Sequence, residues 1–216
     1  MNWTKDIFVP IYKKQLNGIP DRNRGDGFEV IFEALEKKDK HLTTILETGS
    51  MRPNGSLEGD GQSTRLFDEF VQAKRGIVIS VDIDGNTSKY ARDNTSEKTY
   101  LYTDDSIHFL WKNRNSSLLN NSSIDLFYLD SYDVDFENPI AANLHHMKEL
   151  VAISEWLDPG VLVAVDDCRF YPGDRRIPQH INAEFVGKGL FVQDFMENIG
   201  AKMLFDGYQK VWEIVK

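Results

Sequence analysis

From Leu42 onward, short apolar runs alternate with longer amphipathic ones along this chain of 216 residues. The runs TTILE (43–47), GIVISVD (76–82), KTYLY (98–102), IDLFYLD (124–130) and VLVAVDD (161–167) are rich in Val, Ile, Leu and aromatic residues. That is the composition of strands buried on both faces. Between them the spacing predicts helices over 62–75, 86–94, 104–113 and 139–157, the last stopping at Asp158-Pro159-Gly160. Strand–helix alternation implies right-handed crossovers and a parallel sheet with helices on both faces. A helix at 189–199 stops near Gly200, and AKMLFDGYQKVWEIVK then reads as two strands around Asp206-Gly207. The expected fold is α/β, with a seven-stranded, mostly parallel sheet closed by a C-terminal antiparallel hairpin.

Ahead of this core, residues 4–17 and 26–38 have helical apolar spacing and are separated by the turn-rich GIPDRNRGDG. Phe28, Ile31, Phe32 and Leu35 share one face of the second helix. The helices, with Trp3, Phe8, Tyr12 and Phe28, are expected to cap a pocket or to pack on another subunit of a homo-oligomer. Plain core packing is the stronger reading for Phe28. The chain is read as a single domain, 1–216, with a helical cap at 1–41 and a core at 42–216. An irregular insertion, CRFYPGDRRIPQHINAEFVGK (168–188), follows the fifth strand.

Composition narrows the partners. The formal net charge of -9 argues against broad nucleic-acid binding, because a polyanion would be repelled. A single cysteine, Cys168, excludes an internal disulfide and suits a reducing compartment. No apolar stretch is long enough to span a membrane, and the N-terminus lacks an apolar signal core. A cytoplasmic protein is expected, with a small-molecule partner and neither nucleic acid nor membrane.

In an open parallel sheet, ligands bind beyond the carboxyl ends of the strands. Three motifs lie there. Glu47-Thr48-Gly49-Ser50 ends the first strand, and Gly49 allows a sharp turn. Asp82 ends the second strand and suits the hydroxyls of a ribose. Asp105-Ser106 follows the third, within reach of an adenine edge. A dinucleotide is one candidate, but the loop is a poor G-x-G-x-x-G. Glu47, Glu58 and Asp60 face only Arg52 there, and phosphates prefer bare amides or basic side chains. A cationic ligand is better served, and S-adenosyl-L-methionine carries a ribose, an adenine and a sulfonium.

With these motifs in order, the chain resembles the class I S-adenosylmethionine-dependent methyltransferases over about 42–216, which implies their Rossmann-like fold. Glu47-Thr48-Gly49 resembles the opening of the family's acidic glycine motif, Asp82 its ribose-binding acid and Asp105 its adenine-side acid. Ser50 departs from the pattern by replacing the second glycine, and 51–61 look like an insertion. QSTRLF, with Ser63, resembles the helix start of sugar-modifying members. The resemblance thus implies a cofactor site of Glu47, Thr48, Gly49, Ser50, Ser63, Asp82, Asp105, Ser106 and Asp130. Each of these residues also has a plain structural reading as a cap, a strand end or a turn.

Asp130 ends the fourth strand run, and Asp166-Asp167 end the fifth. Three carboxylates converging without a cation would repel one another, and a hard divalent ion such as Mg2+ would relieve that. This arrangement resembles the metal-dependent O-methyltransferases acting on catechols and macrolide sugars, which implies metal ligation by Asp130, Asp166 and Asp167. Where the catechol enzymes carry a lysine, three residues after the first metal acid, Asp133 stands here. Metal-bound hydroxyls would lose their protons more readily. Asp133 and His146 are the candidate general bases, with His145 and His180 behind them. Arg169, Arg175, Arg176, Phe170 and Tyr171 are candidates for holding the acceptor.

The leading expectation is metal-assisted O-methylation of a small hydroxylated acceptor such as a sugar. Metal-independent N- or O-methylation stays open. So do a catalytically inactive cofactor-binding interaction module and a dehydrogenase.

Overall fold

The computed structural model describes residues 1–38, 41–116, 124–170 and 174–215. Seven strands are present: β1 (Thr43–Thr48), β2 (Gly76–Asp82), β3 (Thr99–Thr103), β4 (Leu126–Leu129), β5 (Leu162–Val165), β6 (Lys202–Asp206) and β7 (Lys210–Glu213). They form a single sheet in the order β3-β2-β1-β4-β5-β7-β6. All pairs from β3 to β5 are parallel, and β7 runs antiparallel between β5 and β6. This is the Rossmann-like sheet with a closing hairpin that the alternating pattern implies.

The helices are α1 (a π-helical run Thr4–Lys13, with Pro10 inside it, continuing as Lys14–Leu16), α2 (Arg24–Lys37), α3 (Ser63–Lys74) and α4 (Gly85–Asp93). They continue as α5 (Ser106–Lys112), α6 (Pro139–Ile153) and α7 (Leu190–Asn198). The expected helix at 139–157 is shorter than its apolar spacing suggests. It tightens into a 3-10 turn, Ser154–Trp156, ahead of Asp158-Pro159. No helix among the described residues is long and apolar enough to cross a membrane.

Strand alternation divides the core into two layers. Ile45, Val78, Leu126, Tyr128, Leu162, Ala164 and Val211 face α1, α2 and α3. Leu46, Ile79, Phe127, Leu129, Val163, Val165 and Trp212 face α5, α6 and α7. Every residue of β1, β4 and β5 is buried, as central parallel strands require.

The first layer is aromatic. Trp3 meets Phe32 edge-on at 4.7 Å and Phe70 at 5.3 Å, and Phe28 stacks on Tyr128 at 5.6 Å. Trp3, Phe8 and Tyr12 are therefore core residues, against the expectation that they cap a pocket, and Phe28 is a core residue as expected. Their large apolar faces are spent covering one side of the sheet. What α1 and α2 send toward the strand ends is the turn between them, with Arg22 and Arg24.

Register fixes where the site lies. Thr48 sits opposite both Val81 and Leu129, and Leu129 opposite Val165. The residues that follow each strand, or end it, therefore share one edge. The order reverses between β1 and β4, and that edge is the topological switch point where ligands bind in such sheets.

Candidate active site

A cavity of about 330 Å³ opens at that edge, at the lower end of the usual range for small-molecule sites. Gly49, Ser50, Asp82, Asp130 and Asp167 line it, with Arg22, Arg24 and Tyr208 from elsewhere in the chain.

At the end of β1 the chain buries its own anion. Glu47 has no exposure, and its carboxylate accepts from the hydroxyls of Ser63, Thr64 (2.7 Å) and Ser80 (2.7 Å). Burial raises its pKa to about 7, against the lowering effect of those hydroxyls. Ser63 and Thr64 open α3, so Glu47 lies against the side chains of that helix's first turn. Glu47 and the fully buried Thr48 thus lie beneath the loop, not on the cavity wall as expected of cofactor ligands. Their side chains tie β1 to α3 and to the backbone of Asp130. Gly49 does line the cavity. Its left-handed φ of 83° and a carbonyl of Asp130, 2.6 Å from any added Cβ, leave room only for glycine. The close neighbour that demands glycine is the chain itself.

At the end of β2, Asp82 accepts from the Ser50 N–H (2.8 Å) and the Asp84 N–H (2.8 Å). Two backbone donors fix its carboxylate at the cavity wall. Ser50 sits beside it, its hydroxyl 2.8 Å from that of Ser80. Asp105 and Ser106 are placed differently from expectation. Asp105 caps α5 by accepting from the His108 N–H at 2.8 Å, and Ser106 contacts His145 at 3.1 Å. Neither lines the cavity: the Asp105 side chain is turned onto the first turn of α5 as its cap, and the Ser106 hydroxyl onto His145.

Asp130, Asp166 and Asp167 come together as their strand-end positions require. One oxygen of each lies within 4.8 Å of the others. They do not come alone. The Lys188 ammonium sits 2.5 Å from Asp130 Oδ1 and 3.0 Å from Asp167 Oδ2. The Arg24 guanidinium spans the other side, 2.9 Å from Asp166 Oδ2 and 3.2 Å from Asp167 Oδ1, and donates to the Gly59 carbonyl at 2.7 Å. Both cations are buried, at 1% and 3% side-chain exposure, while Asp130 and Asp167 keep 20% each toward the cavity. Asp166 is covered and does not reach it.

The electrostatics follow. Burial raises the Asp130 pKa well above the usual carboxylate range, with Asp166 and Asp167 adding to it and Lys188 opposing. Asp166 is raised too, by burial against the pull of Arg24. For Asp167 burial is outweighed by Lys188 and Arg24, and its pKa falls below the usual range. Lys188 is held charged, its burial outweighed by Asp130, Asp167 and Asp166. Tyr208 hydrogen-bonds Asp167 and lies under Arg24, 4.8 Å from ring centre to guanidinium carbon.

Of the candidate bases, Asp133 stands at the cavity mouth, exposed and paired with Arg52 at 2.6 Å. His146 is not a base for anything in the cavity. It is fully buried, its Nδ1 lies 2.8 Å from the Ala142 carbonyl, and burial lowers its pKa to about 4. His145 lies against Tyr132 with its ring centre 5.1 Å away, and His180 is exposed. Arg169 pairs with Asp206 and Arg176 with Asp174, and of the two only Arg176 lines the cavity. Tyr171 lies outside the described residues.

Arg24, Lys188 and Tyr208 are the site residues that sequence reasoning missed. One signal was present for Lys188, which stands between two glycines in VGKGL. A Cβ on Gly187 would lie 2.5 Å from the Cys168 carbonyl, and one on Gly189 would lie 2.4 Å from the Cys168 sulfur. The glycines let this segment press against the end of β5 and bury the lysine.

A cofactor with a ribose fits the wall at Asp82. A divalent ion does not fit in the same way. The oxygens are of the right chemistry, but their inward faces are already engaged by an ammonium and a guanidinium.

No protein-family model matches the sequence, and no curated protein matches it. Solved structures do resemble the fold. The "MycE Methyltransferase from the Mycinamycin Biosynthetic Pathway in Complex with Mg, SAH, and Mycinamycin VI" aligns with a TM-score of 0.64 at 13% identity, over 97% of this chain and 54% of that one. MycE "in Complex with Mg and SAH, Crystal form 1" gives a TM-score of 0.64 at 14% identity over 97% and 55%. The chain thus spans about half the length of the solved proteins it resembles, and at this identity the likeness shows the fold.

Proposed function

We propose that the chain is an S-adenosylmethionine-dependent methyltransferase that modifies a hydroxyl of a small acceptor. The observation that carries this reading is the Glu47 carboxylate at the start of α3. In dinucleotide-binding sheets that helix terminus receives the pyrophosphate. Here a protein carboxyl already takes the hydroxyls of the first two helical residues, leaving a phosphate fewer donors and an acidic neighbour. A cofactor with a ribose but no phosphate avoids the conflict. Its cationic sulfonium also suits a wall holding Asp82, Asp130 and Asp167. The likeness to MycE, solved with SAH, supports the same choice.

The residues then divide the work. Asp82, fixed by two N–H donors, would hold the ribose hydroxyls. S-adenosylmethionine supplies a methyl group on sulfur, activated for transfer to an oxygen. Asp130 would take the acceptor proton. It lines the cavity, Lys188 engages its Oδ1, and its raised pKa makes it a better base than Asp167. Phe136, Phe170 and Tyr208 offer apolar surface for a ring such as a sugar, and Arg22 and Arg176 stand at the same wall. The convergence of three acids by itself favours a metal-assisted version of this reaction. The two cations among them count against it.

Calorimetry separates the cofactors. We expect S-adenosylmethionine to bind and NAD not to. Tighter binding of NAD would overturn the assignment. Transfer of a labelled methyl group to polyols or sugars, lost in Asp130→Asn with cofactor binding retained, would support the reaction. Binding of cofactor with no transfer to any acceptor of a broad set would instead point to an interaction module.

A further inference from the structure

We infer that Lys188 is a built-in substitute for a metal ion, its ammonium holding the acid cluster in the role a divalent cation would otherwise fill. Three observations carry this. First, Lys188 bridges Asp130 and Asp167, which lie just past β4 and β5, and its charge offsets their mutual repulsion in a largely buried setting. Second, the lysine is placed there by construction. It lies on a segment pressed against the end of β5 through Gly187 and Gly189, and its own N–H donates to the Asp167 carbonyl at 3.1 Å. Third, Arg24 closes the other side of the cluster, so that all three acids contact a cation of the chain.

Charge counting points the same way. Three carboxylates meet one ammonium and one guanidinium, leaving a formal charge of about minus one. A divalent ion added to this set would sit beside Lys188 and compete for the same oxygens. An ammonium cannot polarise a bound hydroxyl as a divalent ion does. It can fix two carboxylates and stay in place under chelation. The inference concerns ion occupancy and does not depend on which cofactor the cavity binds.

The test is a titration of the purified protein with Mn2+, read by the loss of the free-ion electron paramagnetic signal. Wild type is expected to bind no Mn2+ that Asp167→Asn or Asp130→Asn removes. Lys188→Met, which vacates the position while keeping the stem, should gain a site that binds Mn2+ about tenfold or more tightly than wild type does. Adding Asp167→Asn to Lys188→Met should remove that gain. The proposal is overturned if wild type binds Mn2+ and Asp167→Asn or Asp130→Asn abolishes it. It is overturned as well if Lys188→Met, folded by circular dichroism, gains no binding. Should that variant not fold, the comparison of wild type with the aspartate variants still decides. Calorimetry with S-adenosylmethionine on the same samples reports the cofactor reading separately.

Discussion

Two groups of buried acids lie at the same edge of the sheet and are stabilised in opposite ways. Among the described residues, Glu47 is met by three hydroxyls and no cation. Asp130, Asp166 and Asp167 are surrounded by a lysine, an arginine and a tyrosine. Hydroxyls are adaptable partners, because each can rotate to donate or accept. Ammonium and guanidinium groups only donate, and they carry a charge that must itself be matched. The first arrangement therefore tolerates a neutral replacement, and the second does not.

The largest test of this contrast is Lys188→Met. Removing one partner of a buried ion cluster costs about 3–5 kcal/mol, and a loss of that size is expected in urea unfolding at pH 8. Glu47→Gln, measured at pH 4.5 where folded Glu47 is neutral, should change stability by only about 1 kcal/mol or less, because the hydroxyls can turn to meet the amide. Equal losses in the two variants would erase the distinction.

The pH dependence sharpens it. Glu47 titrates near 4.5 unfolded and near 7 folded. Between those values the unfolded chain is ionised and the folded one still protonated, so this residue makes stability fall as pH rises. The shift corresponds to about 3 kcal/mol. The difference between wild type and Glu47→Gln should decline by that amount from pH 4.5 to 7, in denaturant melts at several pH values. His146 acts in reverse. Its pKa falls from 6.5 to about 4, so its contribution is lost as pH drops through that window. Glu47→Gln should thus unmask a profile that rises more steeply with pH between about 4 and 6.5. A parallel pair of curves would mean that Glu47 is ionised throughout.

Smaller effects belong to the solvent-facing acids. Asp82→Asn keeps the shape but weakens a charged acceptor, and a loss of about tenfold in S-adenosylmethionine affinity is expected by calorimetry. Asp133→Asn removes an exposed pair with Arg52 and should shift unfolding by less than about 1 kcal/mol. A large loss there would mean that Asp133 has a role in the cavity beyond the ion pair.

The alternating runs made the sheet legible, because β1, β4 and β5 are buried on both faces and their apolar composition says so. The convergence of Asp82, Asp130 and Asp166-Asp167 on one edge followed from the same register. What could not be read was the other half of the charge balance. Arg24 reaches Asp166 across 142 positions, from a turn whose composition reads only as a loop. Lys188 is burdened by the same distance problem, and a lysine in a loop ordinarily points to solvent. Glu47 was misplaced for a different reason. A strand-end acid looks alike whether it faces a ligand or the first turn of the next helix, and only the hydroxyls of Ser63, Thr64 and Ser80 decide.

The late position of Lys188 also sets an order of assembly. Arg24 is synthesised ahead of β1 and β4, but Lys188 follows both, so one of the two cations of the rim is made after the strands it serves. A nascent chain ending just past Asp167 would hold the three acids and Arg24 but not Lys188 or Tyr208. Maturation of this corner therefore waits on the last few dozen residues. Pulse-labelled hydrogen exchange during refolding should find amides of β1 and β4 protected ahead of the Lys188 N–H.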